Sequence, residues 1–276
     1  MPYTPTPDQP RRTVHAHLEA DVTEVAEVVL SVALAGAAAD TIDITLNGGA
    51  LRWDVVAAPH ATRLHLVRGV PAGRLVVDYR AQVIGSVPGA GPDAARDATD
   101  RVTYLRPSRY CESDALASVA ADLFTGLAGK DLLDAVSSWV GQHLAYISGS
   151  SRGTDGALQT YLGRQGVCRD FAHLVVALLR ARGVPARLAS VYAPGLSPMD
   201  FHAVAEAQLD DGWYVVDATL LAPRTGMLRI ATGRDAADTA FLTVHSGRVG
   251  LAGLSVHVLQ EPWLPDDDLT ALVRLV

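Results

Sequence analysis

The amino-acid sequence predicts an α+β protein in which an antiparallel β region precedes a mixed region built around one long helix. Three observations carry this. Apolar and polar residues alternate through most of the first hundred or so positions, a helical period appears only after residue 110, and the period of two returns after residue 185. With 276 residues, 49% apolar and 19% charged, the chain can bury a core and needs no more than one large or two modest domains.

Val14, Ala16, Leu18 and Ala20 alternate with His15, His17 and Glu19, and similar runs at 28–35 and 41–46 also read as strands. Asn47-Gly48-Gly49 is a hairpin turn, and Val70-Pro71-Ala72-Gly73 predicts a second hairpin between strands at 64–67 and 75–79. Residues 86–100 shift to Pro, Gly, Ala and Asp, the composition of a linker. The boundary falls near Arg106, which gives an N-terminal β-sandwich-like domain over 1–106 and a second, mixed domain over 107–276.

Helical spacing then predicts a helix over 113–127 with Ser113 as its cap. A second follows over 132–146, with Leu133, Val136, Trp139 and Val140 as its apolar stripe, and a short one after Thr154. The clearest helix is 168–182. It carries Phe171, Leu174, Val175, Leu178 and Leu179 on one broad face and ends at Gly183 and Pro185. Strands are predicted at 187–192, 201–209 and 213–218, with Asp210-Asp211-Gly212 turning between the last two, and again at 227–231, 241–244 and 254–259.

The net charge of −7 and the lack of any basic run exclude a nucleic-acid or anionic-membrane surface, because neutralising phosphates takes clustered Lys and Arg. Lys130 is the only lysine, so the chain offers almost no acyl acceptor of its own. Met1-Pro2-Tyr3-Thr4-Pro5 is not the start of a secretory signal, and no run approaches the roughly 18 apolar residues of a membrane span. The expectation is a cytoplasmic protein without metal or cofactor. Its two cysteines, Cys111 and Cys168, make neither a disulfide framework nor a zinc pattern.

Cys168 opens the long helix, where unpaired backbone N–H groups and the positive end of the helix dipole stabilise a thiolate. Asp170 shares that first turn and reads as an acid that steadies it. A nucleophilic thiol needs an imidazole beside it, and there are nine histidines. His173, five residues along the helix, points roughly 140° away from Cys168 and reads as a core residue. His202 opens a strand after a loop containing Pro194, Gly195 and Pro198. Asp217, at the end of the next strand, has the parity to orient it. A tight turn at Asp211-Gly212 would set Asp217 opposite Glu206, whereas a turn one residue earlier sets it opposite Val204 and diagonal to His202. Glu206 is thus a rival orienter.

Gly166-Val167-Cys168-Arg169-Asp170-Phe171-Ala172-His173, followed by Leu178-Leu179-Arg180-Ala181-Arg182-Gly183-Val184-Pro185, resembles the nucleophile helix of bacterial transglutaminase-like proteins. Phe201-His202-Ala203-Val204-Ala205-Glu206 is similar to that superfamily's His-Ala-Trp-x-Glu, and Trp213 to Thr219 to its Trp-x-x-x-Asp-Pro-Thr. Val204 and Ala218 depart from the pattern without removing a reacting group. The segment 106–111 resembles the junction after an N-terminal β domain in such proteins, and 232–238 resembles a segment downstream of the active site. The resemblance implies a papain-like α+β core with the cysteine helix packed on an antiparallel sheet. It also implies acyl-transfer chemistry with Cys168, His202 and Asp217 as the catalytic set.

The expected substrate is a peptide, a protein or a small amide, with oligomeric state unreadable. Hydrolysis of the acyl-enzyme by water is the first reading. Transfer to an amine, as in a transglutaminase, is the second, and a catalytically silent interaction module the third. The oxyanion would be held by the Cys168 N–H and one of Gln165, Trp139 or Tyr146. His15 and His17 read as a solvated strand face rather than a metal site, and Cys111 as an apolar residue at a helix start. Arg234, Asp235 and Asp238 fit either a cleft wall or a helix cap.

Overall fold

The structure is a computed structural model that describes residues 9–36, 39–87, 98–210 and 212–275. The elements follow in the order β1 (Arg11–Leu30), β2 (Ala39–Leu46), β3 (Gly49–Ala50), β4 (Asp54–Ala57), β5 (Arg63–Val70), β6 (Gly73–Ile84), α1 (Ala98–Tyr104), α2 (Ala117–Leu123), α3 (Gly129–His143), β7 (Ala145–Tyr146), α4 (Ala157–Gly163), β8 (Gln165–Gly166) and α5 (Cys168–Ala181). Then come β9 (Ala186–Tyr192), β10 (His202–Leu209), β11 (Gly212–Val216), β12 (Leu228–Gly233), α6 (Ala236–Thr239) and β13 (Leu242–Glu261). The protein is α+β, as its patterning predicts.

The two apolar runs predicted as separate strands at 14–20 and 28–35 are one strand of 20 residues, β1, whose inward residues Val14, Ala16, Leu18, Ala20, Val28 and Leu30 are buried. On one edge β1 pairs along its whole length with β13, and bulges in this ladder bend both strands. On its other edge Arg11–Val22 pairs with β6 and Ala26–Leu30 with β5. This corrects one predicted hairpin. Both β5 and β6 run antiparallel to β1, so Pro71 and Ala72 pass the chain from one to the next along the same edge instead of reversing it. A strand as long as β1 can seat two partners end to end. The Asn47-Gly48 turn forms as predicted between β2 and β3, with positive φ at both residues (50° and 82°).

Hydrogen bonding joins these strands into one seven-stranded sheet, in the order β3-β2-β6-β1-β5-β4 with β13 beside β1, rather than the two sheets of a sandwich. β13 also merges the strands predicted at 241–244 and 254–259, and it lies within 107–276 by sequence. The second half of the chain therefore returns its last long strand to the first sheet. Of the linker predicted at 86–100, residues 88–97 lie outside the described residues, while residues 98–100 already begin α1.

The second half is layered around α5. Helices α2 and α3 cover one side of α5, and the antiparallel sheet β11-β10-β9-β12 covers the other. Phe171, Leu174, Val175, Leu178 and Leu179 are buried in that sandwich, and Gly183 at φ 77° ends the chain's run after the helix. Each such Leu contributes roughly 1.5–3 kcal/mol of apolar burial, which fixes the helix and so its first residue, Cys168. The opposite face of the small sheet, through Tyr192, Leu228 and Ile230, packs into the core of the seven-stranded sheet. Helix α2 starts later than predicted, since residues 113–116 form turns and Ser113 caps nothing. Among the described residues no helix is long and apolar enough to cross a membrane.

Candidate active site

Cys168 is the first residue of α5, and the strand pair β7–β8 leads into it, with Tyr146 directly across from Gly166. Gly166 is needed there. A Cβ on it would come within 2.6 Å of the Asp170 side chain, which folds back to accept the Val167 N–H at 2.8 Å. Asp170 is buried and also accepts from Ser151 Oγ (2.9 Å) and Arg169 Nη2 (3.0 Å). Its charge is thereby matched by a guanidinium and a helix start, which limits its repulsion of a thiolate two residues away.

His202 is the first residue of β10, and its hairpin with β11 pairs Leu209 with Gly212 and Ala205 with Val216. Continued one step, this register sets Asp217 across from Val204 and diagonal to His202, the second of the two registers considered. The turn contains Asp211, which lies outside the described residues. Asp217 Oδ2 stands 3.5 Å from His202 Nε2. This leaves Nδ1 as the nitrogen open to the thiol.

Asp217 is held from three directions. Its Oδ1 accepts from Thr219 N–H (2.8 Å) and Thr219 Oγ1 (2.7 Å), and its backbone carbonyl accepts from Ser137 Oγ of α3 at 3.2 Å. Burial alone would push this carboxyl up, but His202 and Thr219 outweigh it and keep its pKa below the usual value. For His202, burial works to lower the pKa. Asp217 and the Cys168 sulfur overcome that and raise it to about 10, so the imidazolium is the form this environment favours.

Glu206, the rival orienter, serves the small sheet instead. It is fully buried on β10 and receives Arg187 Nε (2.8 Å) from β9 and Arg229 Nη2 (2.7 Å) from β12, cross-linking three strands. The two guanidiniums hold its carboxyl below the usual range against the opposing effect of burial. His173 is also structural. It stacks on Tyr110 (5.3 Å between centroids), accepts the Ala236 N–H at 3.1 Å, and is kept neutral by burial, which takes its pKa down to about 4.

Of the three candidate oxyanion donors only Tyr146 reaches Cys168, where it interacts with the backbone N–H and the thiol. Burial and that thiol push its phenol up to about 12. Trp139 is stacked between His143 (4.5 Å) and Tyr161 (6.0 Å), and Gln165 borders a different depression with Ser150 and Asp155. Cys111 is wholly buried and burial pushes its thiol up. Asp235 caps α6 through the Ala237 N–H (2.9 Å) and accepts the Tyr110 N–H, while Arg234 pairs with Asp238, so these three side chains serve the cap, and the cavity beside Cys168 is lined from this segment by Ala236 and Thr239. His15 and His17 share Asp78 Oδ1 at 3.1 Å. No group of three His, Cys, Asp or Glu among the described residues is placed to hold a metal.

Cys168 and His202 open into a cavity of about 500 Å³. Its walls include Leu188, Phe201, Ile230, Phe241, Leu251 and Leu254. Ile230 comes from β12, and the last three come from β13 and the residue just before it. Sequence reasoning placed none of these six in the site. Their only signal was apolarity, which marks core and cleft alike.

Fold and site together are those of a cysteine-based enzyme. Residues 118–218 match the model of the Transglutaminase-like superfamily. The structure is similar to that of a candidate cysteine protease from Cytophaga hutchinsonii, with a TM-score of 0.83 and 28% identity over 96% of each chain. Residues 118–218 thus carry a transglutaminase-like domain, and a β region precedes it. An uncharacterised protein of Mycobacterium leprae is 30% identical over 180 residues, which is 60% of this chain and 62% of that protein. One of Mycobacterium tuberculosis is 36% identical over 98 residues, 34% of this chain and 30% of that protein. The chain thus matches these curated relatives over less than two thirds of their length.

Proposed function

We propose that the protein hydrolyses an amide or peptide bond through an acyl-enzyme on Cys168. The observation that carries this is a thiol at a helix N-terminus beside an imidazole whose other nitrogen faces a buried carboxylate at 3.5 Å. The likeness over nearly the whole chain to a candidate cysteine protease supports the same reading.

The Cys168 thiolate attacks the carbonyl carbon while His202 is protonated. The C–O π electrons move to oxygen, and that oxyanion accepts from the Cys168 N–H, displacing the Tyr146 hydroxyl, which then turns its own proton to the same oxygen. Collapse expels the amine with a proton from His202 and leaves a thioester. Neutral His202 next takes a proton from water, whose oxygen attacks the thioester, and collapse restores the thiolate and imidazolium as the carboxylic acid leaves and gives up its remaining proton to solvent. Asp217 keeps the imidazole oriented throughout and stabilises its charge.

Two measurements test this. Iodoacetamide should alkylate one thiol of the native chain, Cys168, faster than a free cysteine at pH 7, with Cys111 untouched. Equal or slower labelling of Cys168 would remove the basis of the proposal. Incubating the chain with a panel of acyl-amides, with and without a primary amine, should give the free acid in both cases. A product mass that includes the amine would show transfer instead.

A further inference from the structure

The cavity beside Cys168 is much larger than the thiol and imidazole require, and its chemistry is lopsided. Leu188 of β9, Phe201 before β10, Ile230 of β12, and Phe241, Leu251 and Leu254 at or near β13 make most of its lining apolar. Phe201 and Phe241 stack on each other (5.0 Å between centroids, 17° between planes) and form one aromatic wall. The charged groups there, Arg169 and Asp200, are of opposite sign, and Arg169 is already bound to Asp170.

Two hydroxyls break the apolar lining. Ser31, just after β1, is 2% exposed, and its Oγ has no hydrogen-bond partner among the described residues. The Oγ of Ser190 on β9 is likewise buried and without one. Both serines line this cavity. Buried hydroxyls are ordinarily satisfied, because leaving one unpaired costs about 1–3 kcal/mol. Two of them in the wall of one cavity point to a ligand that bonds to them when it binds.

We infer that this cavity is the acyl-side specificity pocket and that it takes a large aromatic side chain with an uncharged polar tip, as in tyrosine. The inference rests on Cys168 being the acylated nucleophile. It also explains why the seven-stranded sheet is joined to the catalytic half. Ser31 follows β1, and Leu251 and Leu254 lie on β13, so that sheet supplies one wall of the substrate site. A narrow carboxamide such as a glutamine side chain would leave most of the apolar lining wet. A glutamate or lysine reaching past Arg169 and Asp200 would place its charge among the phenylalanines and leucines.

The test uses the full chain and a set of N-acetyl aminoacyl chloromethyl ketones bearing Tyr, Phe, Ala or Glu. Each alkylates the thiolate with loss of chloride, and mass spectrometry reads the second-order rate at Cys168 against that of iodoacetamide. Filling an apolar pocket changes specificity by about tenfold or more, so Tyr and Phe reagents should exceed Ala by at least that factor, with Tyr the fastest and Glu the slowest. In Ser190→Ala the advantage of Tyr over Phe should shrink, and in Phe241→Ala the aromatic-to-Ala ratio should fall. Ala reacting as fast as the aromatics, or Glu fastest, overturns the inference. Slow iodoacetamide labelling would instead indict the nucleophile. In that event the pocket is read without it, by NMR titration of Cys168→Ala with N-acetyl-tyrosinamide and N-acetyl-glutamate amide. Preference for the first supports the pocket, and equal or reversed binding refutes it.

Discussion

Replacing Asp217 by Asn keeps the shape of the side chain and removes one charge from a site where both partners are buried. Unit charges 3.5 Å apart attract by roughly 5 kcal/mol at an effective dielectric near 20. At about 1.4 kcal/mol per pKa unit, this corresponds to about three and a half units. His202, raised to about 10 in the native chain, should therefore titrate near neutrality in Asp217→Asn, and the thiolate–imidazolium pair loses its main support. The assay is the rate of iodoacetamide alkylation at Cys168 from pH 5 to 10, with circular dichroism to check the fold. The native chain should stay reactive up to the upper limb set by His202. In the variant the rate at pH 7 should fall by about 100-fold, since part of the calculated three and a half or so orders is recovered by hydrogen bonding from the neutral amide. A pH profile that keeps its shape, or a rate within threefold or so of the native one, would refute the assignment of Asp217 as the group that holds His202 charged.

Gly141→Ala tests the seating of Asp217 from the helix side. A Cβ at Gly141 would stand 2.7 Å from the Ala218 carbonyl oxygen, so the variant should lose about 1–3 kcal/mol of stability and lower kcat/KM mainly through kcat; unchanged kinetics would mean that Asp217 tolerates the shift. Glu206→Gln removes the carboxylate that Arg187 and Arg229 share, with Asp100 standing farther from Arg187 at 3.9 Å, at a cost of about 3–5 kcal/mol in denaturant unfolding, and a loss under roughly 1 kcal/mol would show that Glu206 is not what holds the two guanidiniums. His173 has a folded pKa lowered to about 4 from 6.5. The unfolded chain therefore binds a proton there that the folded chain does not. Stability is present above pH 6.5 and is lost as pH falls toward 4. In His173→Gln that component of the slope should vanish, and identical slopes in the two proteins would contradict the neutral, buried assignment.

Much of the fold could be read from the chain. The 3.6-residue spacing of Phe171, Leu174, Val175, Leu178 and Leu179 defines α5 to within a residue, because a broad apolar face has one periodic solution. Asn47-Gly48 marked its hairpin because few residues accept positive φ twice in succession. The Pro71-Ala72 reversal failed for the opposite reason: a turn-prone dipeptide says that the chain can bend, not which strand it will pair with. The length of β1 and the partner of β13 are long-range facts, and periodicity carries no information about partners some 230 residues apart.

The site divides in the same way. Cys168 could be proposed from the sequence itself, on helix-start chemistry and the surrounding motif together, since both are local, and the exclusion of His173 followed from helix geometry alone. His202 rested on a strand start and on the surrounding motif. The choice between Asp217 and Glu206 depended on the hairpin register, and a change of one or two residues in a turn moves a carboxylate from one partner to another. Tertiary structure sets Asp217 3.5 Å from His202 and places Arg187 and Arg229 on Glu206, from strands whose approach no local pattern encodes. It alone also made the pocket. Ser31, Leu188, Phe241 and Leu254 are distant in sequence, and only the packing of the small sheet against the large one brings their side chains around a single cavity.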